Sequence, residues 1–287
     1  MSSSPLDNVG GLKEALPDAG SVPVVSRYPQ PWNSMVVYEG DDVSDEERPS
    51  KSYWRDIGHI PGAWKIRGKN YLKDKKKVPS LRSAMCVAAM EWSFHPKKPI
   101  EHISAEPDGY LASLRAQGRE RGKKYPWMLV INFMVPSVGN FATYFVRREN
   151  HPDPVFDRIL QSFMDAESDD YRNKRFKMIP TVKEGPWMVR KTIGTRPVLP
   201  SKALKTQYFK DENSYEISVN VGSSHIGSFM MGFVKKFASG VALKMGFLIE
   251  SQCEEDLPER LIGGIEVYYP RMKPGNSLGS SSSSGSF

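Results

Sequence analysis

Alternating apolar and polar positions near residue 65 predict a half-buried strand. In "AWKIRGK", Trp64 and Ile66 alternate with Lys65, Arg67 and Lys69. This period of two is typical of a strand with one face in the core and the other in solvent. The pattern therefore predicts a strand whose outer face is basic.

Other segments predict further strands and one clear helix. Apolar runs at 84–92, 126–135 and 141–148 indicate more deeply buried strands, and "KDEN" joins two alternating segments into a hairpin. Asp153 and Pro154 are suited to the cap and the first position of a helix. An apolar stripe follows them, formed by Val155, Phe156, Ile159, Leu160, Phe163 and Met164.

The segment 226–249, "IGSFMMGFVKKFASGVALKMGFLI", predicts a long and mostly apolar helix. Lys235, Lys236 and Lys244 lie inside it, and each would cost roughly 2.5–3.5 kcal/mol near the centre of a bilayer. We therefore expect a buried helix and no transmembrane segment. The expected fold class is α+β, with a curved antiparallel sheet packed on this C-terminal helix in a helix-grip-like arrangement.

The composition of the two ends suggests where the domain lies. Residues 1–58 are rich in Ser, Pro, Gly and Asp, and we expect a disordered or loosely docked arm. Residues 272–287 form a Gly/Ser-rich tail, which we also expect to be disordered. Residues 59–271 are then a single globular domain.

Charge suggests a polyanionic partner. The chain carries a net charge of +7, and its pI is about 9.2. Between residues 65 and 77 there are seven basic side chains and one acid, Asp74, which leaves a local charge of +6. Such a run fits an anionic lipid or a nucleic acid. The alternative is that Asp74 and nearby carbonyl groups tie these lysines into a structural turn.

The sequence gives no indication of an enzyme. The five histidines show no metal-ligand spacing, and no C-x-x-C motif is present, so no metal or cofactor is expected. Phosphate-binding loops and the G-x-S-x-G motif are also absent. The two cysteines and the lack of an N-terminal secretory signal favour a cytoplasmic protein that is not secreted.

Two sets of residues are candidates for lipid binding. The basic set is expected to contact anionic headgroups and consists of Lys65, Arg67, Lys69, Lys73, Lys75, Lys76, Lys77, Arg172 and Arg175. The apolar set is expected to line a pocket between the sheet and the long helix and consists of Trp92, Trp187, Phe229, Met230, Phe233 and Phe237.

Several motifs resemble a known family. "WKIRGKNYLKDKKKVPS", "YRNKRFKMIPTVKEGPW" and "FLIESQCEEDLPERLIGGIEVYY" are similar in order and spacing to the C-terminal domain of the plant protein enhanced disease resistance two. The resemblance covers roughly residues 60–270 and implies the stand-alone form of that domain. In the plant protein the domain follows two lipid-binding domains, so the resemblance implies lipid association only by neighbourhood.

The resulting hypothesis is a non-enzymatic lipid-binding or peripheral membrane-associated domain. It would recognise anionic headgroups, including phosphoinositides, through the basic strand and turn. The alternative is a protein-interaction module with an acidic partner. Nucleic-acid binding comes third, because Trp64 and Ile66 face away from the lysines and no aromatic stacking is expected beside the charges.

Overall fold

The computed structural model describes residues 34–35, 38–39, 53–95, 97–120, 122, 125–148, 151–187, 190–191, 194–223 and 240–268. In chain order, its strands are β1 (Ser34–Met35), β2 (Tyr38–Glu39), β3 (Tyr53–Asp56), β4 (Lys65–Arg67), β5 (Lys77–Pro79), β6 (Met85–Phe94), β7 (Met128–Val135), β8 (Gly139–Arg147), β9 (Phe176–Glu184), β10 (Lys205–Lys210), β11 (Ser214–Asn220), β12 (Ala242–Ile249) and β13 (Leu261–Tyr268). The α-helices are α1 (Tyr71–Asp74), α2 (Tyr110–Glu120), α3 (Pro154–Met164) and α4 (Asp169–Asn173).

The strands form two large sheets and one small hairpin. The first sheet has the order β1-β6-β8-β7-β11-β10, the second has the order β2-β3-β13-β12-β9, and β4 pairs with β5. Most neighbours are antiparallel, but β7 and β11 are parallel, as are β2 and β3. The two large sheets meet where β6 runs beside β13, and the Ala84 amide donates to the Leu261 carbonyl at 3.0 Å.

The main core lies between the two large sheets. Phe145 of the first sheet packs edge-on against Phe247 of the second, with ring centroids 5.8 Å apart. Helix α3 closes the same core with its buried stripe of Phe156, Ile159, Leu160, Phe163 and Met164. The Asp153 side chain accepts a hydrogen bond from the Phe156 amide at 3.0 Å, which confirms the predicted helix and its cap.

The predicted helix-grip fold is wrong. Ala242–Ile249, the end of the segment that we expected to be a long helix, is strand β12, and the longest α-helices of the described part have 11 residues. Strand β12 is bonded on both edges, to β9 and to β13. Because the second half of β12 is covered on both faces, its sequence is a nearly continuous apolar run, which cannot be told from a buried helix by periodicity. Residues 226–239 of that segment lie outside the described residues.

The β4–β5 hairpin covers the outer face of the second sheet, the face turned away from the main core. Trp64 and Ile66 are buried there with Ile179 and Leu248, whereas Lys65 is exposed. The predicted strand with a basic outer face is therefore confirmed. Glycines allow the close approach, because a Cβ atom on Gly264 would lie 2.2 Å from the Trp64 ring.

The structure describes the two ends of the domain only in part. Strand β3 belongs to the second sheet and Trp54 is fully buried, so the fold begins before residue 59. Strands β1 and β2 extend the two sheets from the segment that we expected to be a loosely docked arm. The rest of residues 1–52 and the tail at 272–287 lie outside the described residues.

Substituting Gly264 by Ala should lower the free energy of unfolding by about 1–3 kcal/mol, because the new methyl group overlaps the buried Trp64 ring. Gly240→Ala is the matched control, since a Cβ atom at Gly240 meets nothing within 4 Å. Urea unfolding of both variants measures the difference. Equal stability of the two variants would show that Trp64 does not lie against the second sheet.

Candidate functional site

The basic run at residues 65–77 folds into a compact strand–helix–strand unit. The Gly68 amide donates to the Lys76 carbonyl at 3.1 Å, which closes the unit at its base. Lys75 has a positive φ of 56°, and the Asp74 carboxylate accepts from the Lys76 amide at 2.8 Å. Asp74 thus stabilises the turn that presents the lysines.

A buried ionic cluster attaches this unit to the second sheet. Lys177 on β9 pairs with Glu259 and, at 3.3 Å, with Glu250. Arg67 on β4 pairs with Glu250 at 3.0 Å and lies 3.7 Å from Glu259. The Glu259 side chain is 1% exposed and that of Lys177 is 6% exposed, so these charges compensate each other largely without water. We call Arg67, Lys177, Glu250 and Glu259 the ionic cluster.

Backbone contacts reinforce this attachment. The Arg67 amide donates to the Glu259 carboxylate at 2.9 Å, and the Glu259 amide donates back to the Arg67 carbonyl at 3.0 Å. Nearby, Lys69 donates to the Leu257 carbonyl at 3.2 Å, and Lys73 pairs with Glu254 at 3.0 Å. Arg67 is therefore committed to the fold, whereas the Lys73 pair is exposed and contributes little to stability.

Four of the predicted lysines remain on the surface of the unit. Lys65, Lys75, Lys76 and Lys77 are exposed, and within the described part of the chain none of them forms an ion pair. Lys75 donates to the Leu72 carbonyl at 2.9 Å and lies 5.7 Å from the centre of the Tyr71 ring. These ammonium groups are available to an external anion.

Exposed apolar side chains lie beside these lysines, a feature that sequence reasoning missed. Ile60, Val78 and Leu81 are 45%, 37% and 61% exposed. The Gly62 amide donates to the Ser80 carbonyl at 2.7 Å, so the turn of Ile60 adjoins the segment of Leu81. Val78 is opposite the buried Ile66 and shares its face of the hairpin. We call the four exposed lysines together with Ile60 and Leu81 the hairpin surface.

Arg172 and Arg175 have other contacts. Arg172 donates to the carbonyl groups of Phe163 and Met164 at 3.1 and 3.0 Å, where it satisfies the C-terminal end of α3. Arg175 stacks on Tyr171, with its guanidinium carbon 3.6 Å from the ring centre. Neither guanidinium group has a contact with the hairpin surface, and their role in headgroup binding stays a prediction.

The residues predicted to line an apolar pocket are found in different environments. Trp92 lies in the main core, with its ring centroid 5.0 Å from that of Phe141. Trp187 is 65% exposed, and Lys191 lies 5.9 Å from its ring. The structure therefore does not bring these two tryptophans together. Phe229, Met230, Phe233 and Phe237 lie outside the described residues.

A buried polar network lies on the outer face of the first sheet. Glu216, which is fully buried, accepts from the Ile103 and Ser104 amides at 3.1 and 2.8 Å and from Asn132 at 3.0 Å. These bonds secure the loop before α2, and that helix covers the same face. The sequence could have indicated this network only through the polar residues inside apolar strands.

A second buried carboxyl group lies on the same face. Tyr144 donates to the Glu91 carboxylate at 2.8 Å, and burial raises the pKa of Glu91 to about 7 although this hydrogen bond lowers it. Its partner Tyr144 is fully buried in turn, against Tyr110 of α2. The pair lies beneath a helix rather than in an open cleft, so the hairpin surface is the better candidate for binding.

Comparison with known proteins identifies the family. Residues 59–269 match the family described as "Protein ENHANCED DISEASE RESISTANCE 2, C-terminal", which confirms the resemblance. A curated relative from Arabidopsis thaliana, "Protein ENHANCED DISEASE RESISTANCE 2-like", is 31% identical over 235 residues, which are 81% of this chain and 31% of the relative. The chain thus spans about a third of the length of that relative.

Two further findings concern structure. No solved structure gives a significant match. Among the residues that the structure describes, no helix combines the length and apolar character needed to cross a bilayer.

Glu259→Gln should lower the free energy of unfolding by about 3 kcal/mol or more, because it leaves the buried ammonium of Lys177 without a full countercharge. The control is Glu254→Gln, which removes the exposed pair with Lys73 and should change stability by less than about 1 kcal/mol. Urea denaturation provides both values. Similar losses in the two variants would contradict a structural role for the ionic cluster.

Proposed function

The chain belongs to the family of C-terminal domains of Protein ENHANCED DISEASE RESISTANCE 2, and we propose that it is a non-enzymatic domain that binds anionic lipid at a membrane surface. The observation that carries this proposal is the hairpin surface, where unpaired lysines adjoin exposed aliphatic side chains. In this proposal the domain acts on the cytoplasmic side as a peripheral protein.

The charge of the hairpin surface supports attraction to anionic headgroups. A basic residue near an anionic membrane contributes roughly 1 kcal/mol, so Lys65, Lys75, Lys76 and Lys77 together would contribute about 4 kcal/mol. The one acid of the run, Asp74, accepts the Lys76 amide and so serves the turn. Asp74 keeps its own negative charge there, so the four lysines and this one acid leave a net charge of +3.

The apolar side chains favour a lipid interface over a purely ionic partner. Leu81 is 61% exposed and Ile60 is 45% exposed, although burial of such a side chain is worth about 1.5–3 kcal/mol. A bilayer offers both components at once, since anionic headgroups lie directly above acyl chains. The structure thus presents a basic and apolar surface of the kind that peripheral membrane proteins use.

The attachment of the hairpin also supports this function. The ionic cluster and the buried Trp64 fix the strands on the second sheet. The lysines are consequently presented by an ordered turn, and binding need not order the backbone first, which reduces its entropic cost.

Substituting Lys75, Lys76 and Lys77 by Gln should weaken binding to phosphoinositide-containing vesicles by roughly a hundredfold, because about 3 kcal/mol of attraction is lost. Flotation of the protein with the vesicles measures this change. The matched control replaces Lys97, Lys98 and Lys205 by Gln, which changes the net charge equally at exposed lysines on the first sheet and the loop after β6. Equal weakening by both triple variants would exclude the hairpin surface as the binding site.

The alternative function has its own outcome. Wild-type protein that binds no anionic vesicle but binds an acidic protein would support the interaction module instead.

Leu81→Ser should weaken vesicle binding about tenfold through loss of apolar contact with the bilayer, and this loss should persist at 0.5 M salt. The effect of the lysine substitutions should shrink at that salt concentration because their attraction is screened. Val198→Ser removes an aliphatic side chain that is 41% exposed elsewhere and should leave binding unchanged. Flotation at two salt concentrations separates the two contributions, and a Leu81→Ser variant that binds like wild type would exclude insertion.

A further inference from the structure

Glu91 on β6 is a buried carboxyl group with a single hydrogen-bond donor. It is 6% exposed, and within the described residues its partner is the Tyr144 hydroxyl, which donates at 2.8 Å. Glu216 on the same face accepts from four donors, the amides of Ile103 and Ser104 and the side chains of Asn132 and Ser218. A buried carboxylate is costly unless it is paired or fully hydrogen-bonded. The fold therefore satisfies a charged carboxylate at Glu216 but not at Glu91.

The acidic groups that face Glu91 make its ionisation still less favourable. Glu106 lies in the loop before α2, and Glu216 lies on β11. Burial, the largest effect, and the like charges of these two acids raise the pKa of Glu91 to about 7, although the hydrogen bond from Tyr144 lowers it. An ionised Glu91 would add a negative charge to a face that already holds two acids.

The cations of the same cover have other partners. Arg115 of α2 donates to the Tyr125 hydroxyl at 2.9 Å and to the Ser104 carbonyl at 3.4 Å. His102 of the loop before α2 lies 3.0 Å from the Asp211 carboxylate. Within the part of the chain that the structure describes, no cation forms an ion pair with the buried carboxyl group on β6.

Helix α2 and its preceding loop lie over this carboxyl group. Tyr110 of α2 packs against Tyr144, with ring centroids 4.6 Å apart. Glu106 belongs to the loop that the Glu216 carboxylate holds in place. Ionisation of Glu91 would thus put a desolvated charge beneath the helix and repel the loop. We propose that protonated Glu91 holds α2 and its preceding loop on the first sheet, and that its ionisation loosens them.

Glu91 changes its pKa between the closed and the open state of this cover. In the open state the carboxyl group meets water and has its ordinary pKa of 4.5, whereas in the closed state the pKa is about 7. Below the lower value both states are protonated, and the closed state has its full stability. As the pH rises, the open state loses its proton first. The opening constant then increases by up to about tenfold per pH unit until the closed state also ionises.

Hydrogen exchange followed by mass spectrometry tests this local opening. Protection factors, which remove the intrinsic pH dependence of exchange, report the opening constant of each segment. In wild type the protection of α2 should fall roughly fiftyfold between pH 5 and pH 8. Helix α3 closes the main core on the other side of the sheet, so its protection should stay nearly constant. Equal falls in both helices would show global unfolding and would overturn the local release.

Glu91→Gln is the decisive variant, because glutamine still accepts from the Tyr144 hydroxyl but cannot ionise. Helix α2 should then keep its high protection from pH 5 to pH 8. Glu101→Gln is the matched control, since Glu101 belongs to the same loop but its side chain is 48% exposed. This control should show the pH dependence of wild type. A pH dependence that survives in Glu91→Gln would overturn the proposal and assign the effect to another group, such as His102.

Tyr144→Phe keeps the test decisive if Glu91→Gln does not fold. It removes the hydroxyl that stabilises ionised Glu91 and keeps the ring against Tyr110. The closed-state pKa of Glu91 should rise, so the fall in the protection of α2 should continue to a higher pH than in wild type. A fall that ends at the same pH would contradict the proposal. Vesicle binding at the hairpin surface should be unchanged in these variants, so the two proposals fail or succeed separately.

Discussion

The buried ionic cluster is the interaction on which the outer half of the molecule depends. It joins three segments that are far apart in sequence: Arg67 on β4, Lys177 on β9, and the acids Glu250 and Glu259 between β12 and β13. A buried pair gains little over apolar packing, but loss of one partner leaves a desolvated charge. Any other placement of the hairpin would leave one of these charges buried without its partner. The cluster therefore favours the observed placement mainly by destabilising the alternatives.

The cluster also explains how one basic run can serve both folding and binding. The side chains nearest the sheet, Arg67 and Lys69, meet acids or carbonyl groups of the 250–259 segment. The chain then turns at Asp74, and the following lysines face solvent. A run of uniform charge in the sequence thus divides into side chains that attach the unit to the fold and ammonium groups that are free in solvent.

The parts of the fold that were predictable are those in which one local pattern decides the structure. The alternation around Trp64 and the capped stripe after Asp153 each have one interpretation, and both are confirmed. Strand β12 was not predictable in this way, because a strand covered on both faces loses its alternation. Gly246 lies in the segment that we expected to be a helix, but in the strand its lack of a side chain makes room for the Trp64 ring.

The candidate site was predictable only in outline. The excess of basic residues at 65–77 is visible in the sequence, but which of them are committed to the fold depends on acids and carbonyl groups almost two hundred residues away. Lys177 was not predicted as part of any site, because in the sequence it cannot be distinguished from a surface lysine. Only the fold shows that it is buried beside Glu259. Exposure of Ile60 and Leu81 is likewise a tertiary property, set by how the hairpin covers the sheet.

The outer faces of the two sheets are covered to different extents, and the hairpin surface lies on the less covered side, that of the second sheet. Helix α2 and its preceding loop cover the outer face of the first sheet, where buried acceptors such as Glu216 are satisfied internally. The hairpin is smaller and covers the second sheet only around Gly246 and Gly264. Beyond it the outer face must be polar, and one ion pair such as Lys183–Glu266 would suffice to keep it in water.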